Sequence, residues 1–226
     1  MEKLSHTTLL VWPLEYPVIC VYCGSSPGNT PEHLNAARAF ARALHQHHAR
    51  LVYGGGTTGI MGELARELVK LSGAEAVLGL IPSALLAYER VNTGMDRDPL
   101  TYGHFEVVPD MHTRKMRMVQ TVQRGGQGSG FVALSGGFGT IEEVMEAATW
   151  QQLGIHDRGV CLLNIDGFWD GLVVWIEGVV VGKGFLSYEH WRAIGVKNEA
   201  RDVLDWLRGW KSEDKLGLDW GEQGKE

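Results

Sequence analysis

Apolar, β-branched runs alternate along this chain with stretches in which apolar residues recur every three or four positions. The runs predict six strands, over residues 18–23, 50–53, 76–81, 104–108, 131–134 and 160–164. The periodic stretches between them predict helices. Strands that are separated by helices pair in parallel and need cover on both faces. We therefore predict an α/β fold, a Rossmann-like, doubly wound parallel sheet in a single domain.

Capping residues set the predicted helix boundaries. Thr30 begins the first helix, Gly73 ends the second, and Asp110 begins another. The helices from Asp110 onward are predicted over residues 111–123, 140–153, 168–181 with Asp166 as cap, 187–194 and 199–210. Residues 82–103 are predicted to be an irregular loop, and the glycine-rich residues 124–130 a flexible one.

Composition and charge narrow the choice of function. The net charge of −6 argues against a nucleic-acid partner, which selects for a basic face. No stretch approaches the roughly 18 apolar residues of a membrane span, and the first residues lack a signal-peptide pattern. We therefore expect no membrane association and a cytoplasmic location. The predicted parts are an extension at 1–15, the domain at 16–210 and a polar tail at 211–226.

The three cysteines are expected to be reduced core residues. Cys20 and Cys23 form a C-x-x-C, a spacing that redox and zinc sites use. Both lie inside the first apolar run, however, and no second pair follows to complete a zinc site. The nine histidines form no catalytic or metal-binding pattern. We therefore expect no bound metal.

Glycine is enriched, with 30 residues, and it concentrates directly after three predicted strands. In the strongest case a strand ends and a helix begins through Ser135-Gly136-Gly137-Phe138-Gly139-Thr140. Successive N–H groups of a glycine turn form a nest for an anion, and a helix N-terminus adds about half a positive charge. Similar turns at Gly24-Ser25 and Gly54-Gly55-Gly56 follow the first two strands. Together they predict a phosphate-binding pocket, although a plain glycine turn capped by Thr140 stays open.

Two cations stand at the start of the helix that Asp110 begins. Arg114 and Lys115 oppose the helix dipole there, at a cost of roughly a few tenths of a kcal/mol. A nearby anion would compensate for this cost, whereas the alternative is an ordinary solvated basic face. Met111 and Met118 lie on one face of this helix, as core residues do.

Two segments carry a resemblance to a known family. They are Met111-His112-Thr113-Arg114-Lys115 and Gly136-Gly137-Phe138-Gly139-Thr140-Ile141-Glu142-Glu143. They resemble the motifs M-H-x-R-K and P-G-G-x-G-T-x-x-E of the lonely-guy (LOG) family of cytokinin riboside 5′-monophosphate phosphoribohydrolases, once described as lysine decarboxylases. The resemblance covers nearly the whole chain, from residues 18–26 through residues 52–56 to residues 150–154. Ser135 departs from the pattern by replacing its proline, which should loosen that turn slightly, and residues 123–130 look like an insertion.

The resemblance implies an enzyme that hydrolyses the N-glycosidic bond of a nucleoside 5′-monophosphate, with no cofactor. It also implies a homodimer with the pocket at the subunit boundary. Catalysis is assigned to Arg114 and Glu143. The implied substrate-binding residues are Gly24, Ser25, Gly55, Glu89, Met111, Lys115, Gly136, Gly137, Phe138, Gly139, Thr140 and Glu142. We hypothesise that Glu143 stabilises the cationic ribose or activates water, while the glycine nest holds the phosphate.

Other functions stay open at this point. A general nucleoside monophosphate glycosidase would act on AMP, and a carrier similar to molybdenum-cofactor carriers would bind a nucleotide without turnover. A pyridoxal-phosphate-dependent lysine decarboxylase would need a Schiff-base lysine, for which Lys115 in a polar turn is unconvincing. The presence of both Arg114 and Glu143 favours an enzyme.

Overall fold

Within the described residues, seven parallel strands form one central sheet. The computed structural model describes residues 12–93, 98–212, 218 and 220. The strands are β1 (Val18–Tyr22), β2 (Arg50–Tyr53), β3 (Val77–Pro82), β4 (His104–Val108), β5 (Gly130–Ala133), β6 (Gly159–Leu163) and β7 (Ile194–Lys197). They lie in the order β4-β3-β2-β1-β5-β6-β7. This confirms the predicted doubly wound α/β fold.

Helices cover both faces of the sheet. They are α1 (Glu32–Gln46), α2 (Gly59–Ser72), α3 (Ser83–Thr93), α4 (Pro99–Tyr102), α5 (Met111–Gln123), α6 (Phe138–Gln152), α7 (Asp170–Trp175), α8 (Tyr188–Arg192) and α9 (Ala200–Gly209). The central strand divides its side chains between two cores. Ile19 and Val21 pack with α1, α2 and α9, and Cys20 and Tyr22 pack with α5 and α6. Each large side chain that is fully buried contributes about 1.5–3 kcal/mol.

The strand order reverses between β1 and β5. From β1 the chain adds β2, β3 and β4 on one side, whereas β6 and β7 extend the sheet on the other. Ile19 pairs with Gly130 and Tyr22 with Ala133, so the two strands end level with each other. Their following helices, α1 and α6, leave toward opposite faces. A crevice therefore opens at the carboxyl edge, where sheets of this kind bind ligands.

Most predicted elements are confirmed within a few residues, including Gly73 and Asp110 as caps. The first helix begins at Glu32, with Pro31 and not Thr30 at the N-cap. Strand β7 was not predicted, because its four residues carry no long apolar run. On the described residues, no helix is long and apolar enough to cross a membrane.

The loop predicted over residues 82–103 is wrong, because α3 and α4 lie there. Residues 83–87 are good helix formers apart from Ser83. Leu85 and Tyr88 are exposed, however, so α3 lacks the apolar stripe by which a helix is identified from sequence.

The helix predicted over residues 168–181 is also partly wrong. Asp166 does not cap it but lies in a 3₁₀ turn with a positive φ of 51°. Asn164 ties this turn to the helix, because its Oδ1 accepts a hydrogen bond from the Trp169 amide at 2.8 Å and its Nδ2 donates to Asp170 at 2.7 Å. Beyond α7 the chain continues as a π-helix over Ile176–Val181.

The glycine-rich segment after α5 is tied to the domain. The Arg158 guanidinium donates to the carbonyls of Gln123 at 2.7 Å and Gly125 at 2.9 Å. The Gly126 amide donates to the Tyr16 carbonyl at 2.9 Å, and Ser129 Oγ accepts from the Val18 amide at 2.8 Å. The predicted insertion therefore fastens the start of β1 to the end of α5. The three cysteines are free and buried, as predicted.

Candidate functional site

The three glycine turns meet at the crevice between β1 and β5. The Gly24 amide donates to the Ser135 carbonyl at 2.9 Å, which joins the turn after β1 to the turn after β5. The Gly24 carbonyl accepts from the Met61 amide at 3.2 Å, and the Ser25 carbonyl accepts from the Thr58 hydroxyl at 3.0 Å. These two bonds join the turn after β1 to the start of α2. Polar backbone therefore lines the crevice on three sides.

The N-terminus of α6 opens onto this crevice. The helix begins at Phe138, and Gly137 at its N-cap brings no side-chain cap. The first N–H groups of a helix have no partner inside it, so they can donate to a ligand. A Cβ at Gly136 would overlap the Thr140 hydroxyl, so tight packing requires glycine there.

Packing does not require glycine at positions 137 and 139. Apart from the chain neighbours and the backbone of α6 itself, no atom of the described residues lies within 4 Å of the Cβ position of either residue. Neither glycine has a positive φ. Nothing in the described protein therefore requires glycine at these positions. An anion that lies against the N–H groups of α6 would require it, because the anion must approach the backbone closely.

Arg114 and Glu143 form a buried ion pair beside this helix start. Arg114 is 7% exposed and Glu143 is 8% exposed, and Nη2 of Arg114 donates to the Glu143 carboxylate. Burial raises the pKa of Glu143, and Arg114 opposes this shift by holding the carboxylate. The Arg114 Nε is also buried and has no hydrogen-bond partner among the described residues. A carboxylate whose pKa is perturbed by both burial and a partner is typical of a functional site.

The Arg114 guanidinium packs against the second glycine turn. A Cβ at Gly54 would lie 3.5 Å from Nη1 of Arg114 and 3.3 Å from the Met61 sulfur. The backbone after β2 is therefore covered by the guanidinium. At the other end of its side chain, Arg114 is fixed by α5, whose N-cap Asp110 accepts from the Thr113 amide at 2.8 Å.

Lys115 points to a second pair of carboxylates on α6. Its ammonium binds Glu142 and lies 2.8 Å from the Glu146 carboxylate. Burial lowers the pKa of Lys115, but the two carboxylates outweigh it and raise the pKa overall. The alternative of an ordinary solvated basic face at Arg114 and Lys115 is therefore wrong. Arg114 and Lys115 both meet acids of the neighbouring helix, and these acids compensate for their position near the start of α5.

The remaining predicted residues lie around the same crevice or outside it. Met111 and Phe138 are 39% and 92% exposed, so Met111 does not share the core with Met118. Gly55 is buried with a positive φ of 80°, and Ser25 is exposed. Glu89 belongs to α3, but its side chain lies outside the described residues. Its predicted contact with substrate stays a prediction.

One residue at this crevice was not predicted. Nδ1 of His33 lies 2.9 Å from the Ser135 hydroxyl, and the two residues share a hydrogen bond. They are 102 positions apart, so no local pattern could reveal the contact. Within the described ranges, no three His, Cys, Asp or Glu side chains are grouped so that they could hold a metal ion.

Comparison with known proteins gives a family and several relatives. Residues 61–207 match the family model described as "Possible lysine decarboxylase". The bifunctional cytokinin biosynthesis protein of Fusarium pseudograminearum (strain CS3096) is 52% identical over 90% of this chain, which spans 43% of that protein's length. The cytokinin riboside 5′-monophosphate phosphoribohydrolase LOG7 of Arabidopsis thaliana is 37% identical over 86% of this chain and 82% of its own. For LOG2 of the same plant the identity is 40%, over 84% and 81%.

Solved structures share the fold. The molybdenum cofactor binding protein of Rippkaea orientalis superposes with a TM-score of 0.58 over 87% of this chain and 98% of its own, at 19% identity. The molybdenum cofactor carrier protein of Chlamydomonas reinhardtii gives 0.58 over 86% and 97%, at 16% identity. At such low identity the likeness concerns the fold alone, and it agrees with the Rossmann-like architecture.

Proposed function

This chain belongs to the LOG family of cytokinin riboside 5′-monophosphate phosphoribohydrolases, and we propose that it releases a free cytokinin base and ribose 5-phosphate from such a nucleotide. The observation that carries the proposal is the buried Arg114–Glu143 pair beside the open N-terminus of α6. The Fusarium relative is more than twice as long, so the proposal concerns only the activity that fits this crevice.

The 5′-phosphate supplies binding energy away from the reacting bond. In the proposed complex it lies against the N–H groups of residues 137–140, near the open Cβ positions of Gly137 and Gly139. The contacts with the phosphate hold the ribose so that its anomeric carbon faces Glu143. Binding energy from a remote group is then used for positioning, which raises the rate of the chemical step.

Glu143 acts at the anomeric carbon C1′. As the C1′–N9 bond breaks, its electron pair leaves with the base and positive charge builds on the ribose. The carboxylate stabilises that charge and takes a proton from water, whose oxygen adds to C1′. The base takes a proton from the solvent as it leaves and Glu143 returns its proton to the solvent, so one water is consumed in all. Arg114 keeps Glu143 oriented and opposes the rise in its pKa, which favours the ionised carboxylate that this role requires.

Lysine decarboxylation, the activity named in the family description, does not suit this chain. A Schiff-base lysine must lose its proton readily, which requires a lowered pKa. The carboxylates of Glu142 and Glu146 have the opposite effect on Lys115. We expect the protein mixed with pyridoxal phosphate to show no lysine-bound chromophore and no release of CO₂ from lysine.

A hydrolysis panel tests the proposal. The substrates are isopentenyladenosine 5′-monophosphate, AMP and phosphate-free isopentenyladenosine, and the readout is free base separated by chromatography. We expect rapid release from the first and little from the third, because the third lacks the phosphate. Equal rates on AMP would indicate a general nucleoside monophosphate glycosidase. Binding without release of base in any arm would indicate a carrier and overturn the enzymatic proposal.

The assembly and the working unit are part of the same proposal. We propose a homodimer in the cytoplasm, with a catalytic unit at residues 16–210. Free, buried cysteines agree with a reducing compartment. The indole N–H of Trp220 donates to the Leu153 carbonyl at 3.0 Å, so part of the proposed tail contacts this unit. Light scattering of the full chain tests the dimer, and a chain ending at residue 210 tests the boundary by its activity.

A further inference from the structure

His33 contacts three turns of the crevice with one imidazole ring. It is the second residue of α1, and its Nδ1 shares a hydrogen bond with Ser135 Oγ across 2.9 Å. The ring also lies over the first glycine turn, because a Cβ at Gly28 would be only 2.8 Å from Cδ2 of His33. Phe168, just after β6, meets the ring edge-on with 6.1 Å between centroids. The turns after β1, β5 and β6 are therefore held by one side chain.

Ser135 is the residue through which this contact reaches the proposed phosphate site. It precedes Gly136, and it is only 4% exposed. Its carbonyl accepts the hydrogen bond from the Gly24 amide, while its hydroxyl bonds to His33. Motifs that resemble this one have proline here, whose ring fixes the backbone φ. Serine leaves φ free, so an external contact is needed to hold the backbone in one conformation.

We propose that His33 is a positioning residue for the phosphate-binding turn. By holding Ser135, the imidazole keeps the N–H groups of residues 136–140 in the arrangement that accepts a phosphomonoester. The inference rests on the proposed function for its ligand, but not for its geometry. Loss of the imidazole then weakens phosphate binding. A phosphate that does bind still positions the ribose, and Arg114 and Glu143 are held by a separate bond, so the chemistry at C1′ stays intact.

A second histidine of the same helix serves as a matched control. Nδ1 of His45 also lies 2.9 Å from a serine hydroxyl, that of Ser72 at the end of α2. This pair lies near the C-terminus of α1, remote from the crevice at the N-terminus of that helix. His45→Ala therefore removes a histidine–serine hydrogen bond of the same length, at a more exposed position, without touching the phosphate-binding turn.

The kinetic test compares His33→Ala, His33→Asn and His45→Ala. The loss of one partly buried hydrogen bond corresponds to roughly a three- to tenfold effect on binding. For His33→Ala we expect the KM for the nucleotide and the inhibition constant of ribose 5-phosphate to rise by that factor. We expect kcat to stay within about twofold. His33→Asn, which can still bond to Ser135, recovers part of the loss, and His45→Ala changes neither constant. An unchanged KM in His33→Ala, or a fall in kcat alone, overturns the inference.

Hydrogen exchange separates this inference from the proposed function. We expect the amides of residues 134–140 to exchange faster in His33→Ala and in Ser135→Ala than in the wild type, and at the wild-type rate in His45→Ala. The double variant should add little to either single change, because both remove the same bond. If the wild type hydrolyses no nucleotide, the proposed function fails while exchange still tests the contact. If hydrolysis is found but exchange at residues 134–140 is unchanged, the role of His33 fails alone.

Discussion

Replacing Glu143 by glutamine separates the chemistry of its carboxylate from its part in the fold. The side chains of Arg114 and Glu143 are each 9% exposed, so the pair is almost dry. Burial raises the pKa of Glu143, and the opposing effect of Arg114 does not cancel the shift. An acid with a raised pKa in the folded state stabilises the fold at pH values below its unfolded pKa. That contribution is lost as the pH rises through the folded pKa.

Two effects of opposite sign set the stability change. Glu143→Gln removes the cost of burying a charged carboxylate and can still accept a hydrogen bond from Arg114. It also leaves the buried Arg114 guanidinium without a counter-charge, which is destabilising. We therefore expect the melting temperature at pH 7 to change little. Hydrolysis should fall by roughly 10²- to 10⁴-fold, or about 3–5 kcal/mol on the activation barrier, which is the usual contribution of a general acid or base.

The assay pairs base release from isopentenyladenosine 5′-monophosphate with thermal unfolding. Glu146→Gln is the control, since this carboxylate also lies on α6 and binds Lys115 but is not among the predicted site residues. We expect the control to keep activity within about fivefold, which corresponds to about 1 kcal/mol, the upper range for a surface ion pair. Near-normal hydrolysis by Glu143→Gln would refute the role of the carboxylate. A large drop in its melting temperature would refute the argument about burial.

Further predictions test the phosphate site, the helix contact and the pH dependence. Gly139→Ala should raise the free energy of unfolding by about 0.5–1 kcal/mol, because alanine favours a helix, yet raise the KM for the nucleotide; an unchanged KM would contradict phosphate binding at this glycine. Lys115→Met should lower the unfolding free energy by about 1 kcal/mol in urea titrations, since Lys115 bridges Glu142 and Glu146 but Glu142 is half exposed; no change would show that the bridge is not stabilising. Burial lowers the pKa of His156 from 6.5 to about 4. The contribution of this histidine to the free energy of unfolding should therefore be fully present above pH 6.5 and fall as the pH drops toward 4. The loss amounts to about 2 kcal/mol at pH 5 and should be absent from His156→Gln; an equal loss in both proteins would contradict it.

Local sequence signals predicted the elements of this fold where an element has its own apolar core face. The six predicted strands and the cap Asp110 are found because a buried strand or a capped helix is recorded in adjacent residues. The failures share a cause. The described side chains of α3 are mostly exposed, and only Gly195 of the four residues of β7 is buried, so neither carries a strong apolar period. The comparisons confirm the family resemblance. It could be found from sequence because each of its two motifs is a continuous stretch of residues.

Only part of the candidate site could be predicted from local sequence patterns. The glycine turns and the cations of α5 could be singled out, since each is a short local pattern. Their binding and catalytic roles stay predictions. The pairing of Arg114 with Glu143, and that of Lys115 with Glu142 and Glu146, depends on how α5 and α6 lie against each other. No pattern in either helix alone indicates which acid meets which cation.

The sequence by itself determined that this is a parallel α/β protein with glycine turns after its strands and a LOG-type motif at the start of α6. Only the tertiary structure decided that β1 and β5 are neighbours and that Ser135 bonds to both Gly24 and His33. The physical reason is range. Propensity, periodicity and capping act over a few residues, whereas the crevice is formed by contacts between segments about a hundred residues apart, brought together by burial of the two cores.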